Sequence, residues 1–270
     1  MASVREDRPT TLPKYMALVE VLQKKAGCSL WFRGCGDTRH DLKPTLYRHP
    51  TFTEDIEMQT LERQLMARYR QRSIPYRSRD LADDWEVLFF MQHYGVPTRM
   101  LDWTENPLIA LHFALMSAVS RTSRGKTIYP RDAVVWVLDP GRWNAAALRH
   151  LSYVGGPLTT GDEPLKGYAP LSSVSTMHTH PVALYGAHNS ARIVAQQGVF
   201  TIFGKSRLAM ETLIRRGTFP AQALRRMLIP RTHIASMRRS LLNQGITESV
   251  VYPDLEGLAR ETKRHFGFEF

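Results

Sequence analysis

Residues 89–115 read FFMQHYGVPTRMLDWTENPLIALHFAL, and this stretch decides how the chain is interpreted. Two strongly apolar segments flank a polar turn that is built around Gly95 and Pro97. Buried polar groups without partners cost roughly 1–3 kcal/mol each. The turn is therefore either a polar network that satisfies itself or a functional site. The candidate residues in it are His93, Tyr94, Thr98, Arg99, Asp102, Trp103 and Glu105.

Helix signals on both sides of this turn predict how it is held. Gly95 is placed to end the first helix, and Pro107 suits the first position of the second, where its missing N–H does no harm. The second helix is apolar on nearly every face, which indicates a central, buried element. The expected N-caps are Asp83 or Asp84 for a helix over 85–94, and Thr104 or Asn106 for a helix over 108–119.

Outward from the turn, strand and helix signals mix without regular alternation. Strands are predicted over 30–32, 132–138, 192–195, 199–203, 224–229 and 250–252, with 192–203 forming a hairpin. Further helices are predicted over 10–25, 53–72 (with Thr53 as N-cap), 234–243 and 255–266. The stretch 151–189, rich in Gly, Pro, Ser and Thr, predicts long loops. This order favours a single α+β domain with a mixed central sheet and flanking helices.

Composition limits the partners and the compartment. The 270 residues are 43% apolar and carry a net charge of +11, with 28 arginines against 8 lysines, so a polyanion such as nucleic acid is an expected partner. No apolar run reaches the roughly 20 residues of a membrane span, and no secretory leader is apparent, so we expect a cytoplasmic protein without a membrane partner. Cys28 and Cys35 lack metal-ligand spacing, which predicts reduced thiols and no metal site.

Three groups of residues resemble one known family. Phe32-Arg33-Gly34 resembles the triplet that names the FRG domain family, and 92–114 resembles its long signature. The segments 192–200 and 245–258 resemble its C-terminal motifs. The resemblance assigns residues 1–26 to an N-terminal helical segment and 27–270 to an FRG domain. The family occurs in bacterial and phage-linked settings and is suspected of similarity to ADP-ribosyltransferases. The resemblance implies an ADP-ribosyltransferase-like fold, NAD as co-substrate, and a role as a toxin or defence effector. It does not identify a neutralising partner protein.

Cleavage of the nicotinamide–ribose bond of NAD would require side chains with three different roles. A cation must hold the diphosphate, an aromatic ring must face the nicotinamide, and a carboxylate must stabilise an oxocarbenium-like transition state. Tyr94 or Phe200 is the candidate ring, and Asp102 or Glu105 the candidate acid. The full catalytic set is Arg33, His93, Tyr94, Thr98, Arg99, Asp102 and Glu105. The full cofactor-binding set is Arg33, Gly34, Tyr94, Arg192, Gln197 and Phe200.

Each assignment has a structural alternative. Arg33 could instead pair with Asp102 or another carboxylate inside the fold, and Thr98 and Arg99 could bond the backbone of their own loop. Many ADP-ribosyltransferases carry a Glu-x-Glu or Gln-x-Glu near a C-terminal strand, whereas 196–198 reads Gln-Gln-Gly with no acid. The carboxylate would then have to come from Asp102 or Glu105 in the central turn. The enzymatic interpretation therefore requires Arg33 and this turn to face one cavity.

Three functions are open at this stage. The first is an ADP-ribosyltransferase that acts on a nucleic acid or another macromolecule. The second is a module that binds nucleic acid or a nucleotide without turnover. The third, a phosphodiester hydrolase, is the weakest because no acids or histidines show metal-ligand spacing.

Overall fold

A mixed seven-stranded sheet forms the centre of the protein. The structure is a computed structural model, which describes residues 3–50, 54–77, 79–123, 126–187 and 190–268. The strands are β1 (Arg5–Asp7), β2 (Trp31–Cys35), β3 (Met100–Thr104), β4 (Arg121–Ser123), β5 (Lys126–Ile128), β6 (Ala133–Leu138), β7 (Val182–Leu184), β8 (Gly198–Ile202) and β9 (Leu224–Ile229). The order in the sheet is β1-β9-β6-β2-β3-β8-β7, while β4 and β5 pair separately. β1 lies parallel to β9, and every other pair is antiparallel. The predicted α+β class with a mixed sheet is confirmed.

Helices cover both faces of this sheet. They are α1 (Leu12–Ala26), α2 (Asp55–Arg72), α3 (Asp84–His93), α4 (Pro107–Met116), α5 (Pro140–Ala147), α6 (Ala191–Gln196), α7 (Met210–Arg215), α8 (Ile234–Asn243), α9 (Glu248–Val251) and α10 (Leu255–His265). None of the helices in the described ranges has both the length and the apolar character that a membrane span needs.

The alternation of β6 explains why the sheet has two cores. Val134, Trp136 and Leu138 point to one face, where they pack with residues of α2, α3, α5 and α7. Val135 and Val137 point to the other face, where α1, α4 and α8 close the core. Because side chains alternate along a strand, an all-apolar strand fits only a sheet buried on both sides.

Side-chain caps fix the helices that flank the central turn. The Asp83 carboxylate accepts a hydrogen bond from the Glu86 amide at the start of α3, and the Asn106 side chain accepts from the Leu108 amide at the start of α4. Gly27 ends α1 in the left-handed conformation, at φ +68°. The predicted caps of α3 and α4 are confirmed.

Four sequence predictions need correction. The cap of α2 is Glu54 and not Thr53, which lies outside the described residues. Residues 192–195 belong to helix α6 and not to a hairpin strand, because Ser190 caps the helix and Gln197 ends it at φ +47°. Val250 and Val251 belong to helix α9. The described part of the predicted loop stretch, residues 151–187, is largely loop, but it also contains the edge strand β7.

Candidate functional site

A cleft opens where the two halves of the sheet part. β2 pairs with β6 over five positions and β3 pairs with β8 over five, but β2 and β3 share the single register pair Phe32–Thr104. Beyond that pair the strands diverge and leave a cleft of about 280 Å³. Its lining residues are Phe32, Arg33, Gly34, Gln92, His93, Asp102, Trp103, Thr104, Phe113, Ser117, Arg192, Ile193, Gln196, Gly198 and Phe200.

Gly34 lies in this wall because helix α4 crosses directly over it. A Cβ atom at Gly34 would overlap the Ala110 carbonyl oxygen and the Ala114 amide nitrogen. At Gly36 a Cβ would overlap the backbone of Ser117 in the same way. The glycine of the Phe-Arg-Gly triplet is therefore required for the close approach of a strand and a helix.

Arg33 spans the gap between the diverging strands. Its Nη1 donates to the Asp102 carbonyl oxygen, and the same atom lies 3.9 Å from the Asp102 carboxylate. The Arg33 side chain is 24% exposed and that of Asp102 is 57% exposed, so the pair faces the cleft and not the interior. The ion pair that was one alternative for Arg33 does form, and it forms within the cavity.

A relay of hydrogen bonds orients the Asp102 carboxylate. The Gln92 side-chain amide donates to Asp102 Oδ2 at 2.8 Å. The Thr98 hydroxyl donates to the other end of that amide, at Gln92 Oε1, and accepts from the Met100 backbone N–H at 3.1 Å. Since the hydroxyl fixes which end of the amide is the donor, Thr98 positions Gln92, and Gln92 positions Asp102.

His93 and Arg192 approach the cleft from two different helices. Burial lowers the pKa of His93 below its usual value, the Arg192 guanidinium lowers it further, and Asp102 and Asp254 act in the opposite direction. At neutral pH the imidazole is therefore mostly uncharged. The Arg192 guanidinium stacks 4.7 Å from the centre of the Tyr252 ring, and within the described chain it forms no ion pair.

Aromatic side chains form an apolar wall of the cleft. Phe200, Phe113 and Trp103 line it. Phe200 is 4% exposed and packs on Phe89 with ring centres 5.1 Å apart. The Trp103 indole N–H donates to the Thr201 hydroxyl at 3.1 Å, so this ring is anchored in the core. The cleft thus combines cations, one carboxylate and a flat apolar wall.

Five of the predicted site residues do not line this cleft. Arg99 is fully buried, where it pairs with Glu62 and donates to backbone carbonyls of Tyr168, Ala169 and Phe203. Thr98 is buried and reaches the site only through Gln92. Tyr94 is 63% exposed and lines a separate groove.

The remaining two, Glu105 and Gln197, lie beside the cleft. The Glu105 carboxylate accepts a hydrogen bond from the Ser29 hydroxyl at 3.2 Å, and its backbone N–H donates to the Gln197 carbonyl oxygen. Gln196, and not Gln197, lines the cleft. Its side-chain amide donates to the Val251 carbonyl oxygen at 3.0 Å.

Sequence reasoning gave no role to Gln92, although this residue holds the carboxylate. Its position directly before the last residue of a capped helix and ten residues before Asp102 was the available signal. Across the described ranges, no three His, Cys, Asp or Glu side chains are grouped so that they could hold a metal ion. Cys28 and Cys35 are both free thiols.

Comparison with known proteins identifies one family. Residues 28–123 match the family model of the FRG domain. Searches of the curated proteins and of the solved structures gave no significant match. The matched range contains the Phe-Arg-Gly triplet, the relay and α4, and most of the residues that line the cleft lie within it. The segment at residues 28–123 is therefore identified as an FRG domain.

Proposed function

We propose that the cleft binds NAD and that the protein is an NAD-dependent ADP-ribosyltransferase that modifies a macromolecule. The observation that carries this proposal is the meeting of Arg33, Arg192, His93 and Asp102 around one cleft with an aromatic wall. A role as a bacterial or phage-linked toxin or defence effector is part of the same proposal, since it follows from the family resemblance.

The two arginines are suited to different duties. Arg33 is held by Asp102, so its remaining donors face the ligand at a fixed angle. Arg192 stacks on Tyr252 and has no carboxylate partner among the described residues, which leaves its guanidinium fork for a phosphate. Planar guanidinium groups bind phosphate oxygens in pairs. We assign the diphosphate of NAD to Arg192, with Arg33 as the second contact.

The aromatic wall suits the nicotinamide ring. A positively charged pyridinium gains from the face of an aromatic side chain, and Phe200 is held in place by its packing on Phe89. Tyr94 lies outside the cleft, so of the two candidate rings Phe200 is the one that we retain.

Asp102 is the acid in our proposal. Cleavage breaks the bond between ribose C1′ and the nicotinamide nitrogen, whose electron pair stays with nicotinamide and neutralises its ring. The positive charge left on the ribose is stabilised by a nearby carboxylate, as in glycoside cleavage. A nucleophile of the acceptor then forms a bond to C1′ and loses its proton. Neutral His93 is the candidate base for that proton.

A binding module without turnover is the second candidate. It is favoured by one observation: among the described residues that line the cleft, Asp102 is the single acid, and Gln92 and Arg33 already contact it. In that case the two arginines would hold the phosphates of a nucleotide or nucleic acid, and no bond would be cleaved.

The release of free nicotinamide from NAD tests the proposal. We expect the wild-type protein to release it, and Asp102→Asn to lose about a hundredfold in rate because the transition-state charge is left uncompensated. Arg192→Gln should weaken NAD binding. Asp80→Asn is the matched control, since that side chain is 98% exposed and lies outside the cleft.

The outcome that would overturn the transferase is NAD left intact and unbound by a folded wild-type protein. Saturable, salt-sensitive binding of nucleic acid with NAD untouched would favour the binding module. Equal nicotinamide release by the wild type and by Asp102→Asn would remove Asp102 from the mechanism.

A further inference from the structure

A second groove lies beside the cleft, at the ends of α2 and α3. It measures about 330 Å³ and combines four aromatic rings with two arginines. The residues concerned are Tyr69, Arg72, Tyr76, Arg77, Phe90 and Tyr94. None of these side chains belongs to the wall of the cleft, so the groove is a separate surface.

The aromatic rings of this groove are unusually open to solvent. Tyr76 is 88% exposed and Tyr94 is 63% exposed, whereas most tyrosines of the sheet core are buried. Phe90 and Tyr94 lie with ring centres 5.7 Å apart, which forms one continuous aromatic wall. Open faces of this kind are what a planar, apolar ligand group stacks on.

The charge around the groove is positive and only partly compensated. Arg70 and Arg79 are paired with Asp84 and Glu86. Three more arginines of α2 are exposed and form no ion pair within the described residues: Arg63, Arg68 and Arg72. Arg77 lies 3.4 Å from Asp80, and its buried Nε has no hydrogen-bond partner in the described part of the chain. The surface therefore offers several guanidinium donors to phosphate groups.

The groove lies next to the cleft. His93 lines the cleft and Tyr94 lines the groove, and their rings meet edge to face with centres 4.8 Å apart. A chain lying in the groove would pass directly beside His93, which is the residue that we assigned to deprotonating the acceptor.

We infer that the groove binds single-stranded nucleic acid and delivers one of its nucleotides to the cleft. Unpaired bases stack on Tyr76 and Tyr94, and phosphates contact Arg72 and its neighbours on α2. A duplex fits this surface less well, because its bases are already stacked on one another. The delivery step depends on the transferase proposed above, while binding in the groove does not.

Fluorescence anisotropy with a labelled 12-nucleotide single strand tests the binding. We expect the single strand to bind more tightly than the matching duplex, and Tyr76→Ala to weaken its binding about tenfold, since one stacked base is lost. Tyr76→Phe should keep the affinity because it keeps the ring. Arg72→Ala should reduce the slope of log affinity against log salt by about 0.7, as for one phosphate contact on a single strand.

The matched control is Arg239→Ala. Arg239 is exposed on α8, which packs on the other face of the sheet, so this variant removes equal charge without touching the groove. Equal affinity of the wild type and Tyr76→Ala, or equal loss in Arg239→Ala and Arg72→Ala, would overturn the inference.

The two proposals fail separately. Nicotinamide release without any oligonucleotide reports on the cleft and should be the same in Tyr76→Ala as in the wild type. Attachment of ADP-ribose to the single strand, read by mass spectrometry, should fall in Tyr76→Ala. If NAD stays intact but the strand still binds through Tyr76, the transferase is wrong and the groove stands. If NAD is cleaved and Tyr76→Ala modifies the strand as well as the wild type does, the groove is wrong.

Discussion

His112 should make the stability of the protein fall steeply in mild acid. It lies in helix α4, where it is 1% exposed and both ring nitrogens lack a hydrogen-bond partner among the residues that the structure describes. Burial lowers the pKa of His112 from 6.5 to about 4, with Arg238 and Arg264 acting in the same direction and Glu248 opposing them. The folded protein therefore accepts a proton at this ring far less readily than the unfolded chain does.

The size of the effect follows from that difference in pKa. The stability that neutral His112 provides is complete above pH 6.5 and is lost as the pH falls toward about 4. A difference of 2.5 pKa units corresponds to about 3 kcal/mol when the loss is complete. At pH 5 the loss from this residue is about 2 kcal/mol, a large share of a typical free energy of unfolding.

Urea denaturation at a series of pH values between 7.5 and 5 measures this effect. Half-buried histidines such as His93 and the buried Glu211 carboxyl also have shifted pKa values, so the informative quantity is the difference between the wild type and His112→Leu. The leucine variant should lose about 2 kcal/mol less than the wild type over that interval. His40→Leu, which replaces an exposed histidine, is the matched control and should follow the wild type. Parallel curves for the wild type and His112→Leu would refute the reasoning.

Three further predictions concern the residues around the cleft. Gly34→Ala should lower the free energy of unfolding by about 3 kcal/mol in a urea titration, because the added methyl group meets the backbone of α4. The control is Gly161→Ala, whose methyl group meets no atom, and it should change that free energy by less than about 0.5 kcal/mol. Arg99→Met should lower the free energy of unfolding, measured by heat or urea, by about 4 kcal/mol, because it leaves the buried Glu62 carboxylate without its partner. An unchanged unfolding midpoint would contradict the contacts of Arg99. Thr98→Val should lower kcat for nicotinamide release at least about tenfold with little change in KM, because the amide of Gln92 is no longer oriented. Thr98→Ser keeps the hydroxyl and should keep the wild-type kcat. An equal loss of kcat in both variants would show that the hydroxyl has no part in the relay.

The sequence predicted those elements whose signals are local. Capped helices such as α3 and α4 were placed correctly because the capping side chain and the apolar face agree. β6 was placed because six consecutive apolar residues suit a strand buried on both faces. The strands predicted at 192–195 and 250–252 were wrong, because short apolar runs that contain valine fit a strand or one helical turn equally well. At 192–195 the cap of Ser190 and the left-handed Gln197 decided the outcome.

The site was predictable only in part for a related reason. Sequence proximity suggested that the polar residues of 93–105 act together, and His93 and Asp102 do share the cleft with Arg33 and Arg192. The direction in which each side chain points depends on where its element ends, which the motif does not reveal. Tyr94 comes directly after the last residue of α3 and faces the neighbouring groove, while Arg99, just before β3, turns into the interior.

The pairing of β2 and β3 limits how this protein can be divided. Residues 28–123 contain both strands, yet those strands are joined at one register position, and their full partners β6 and β8 lie outside that range. The backbone carbonyls that receive the guanidinium of Arg99 lie outside it as well. A fragment cut at the limits of sequence similarity would carry the diagnostic motif without the scaffold that shapes it. Truncation and domain-fusion designs should therefore retain the chain at least to the end of β9.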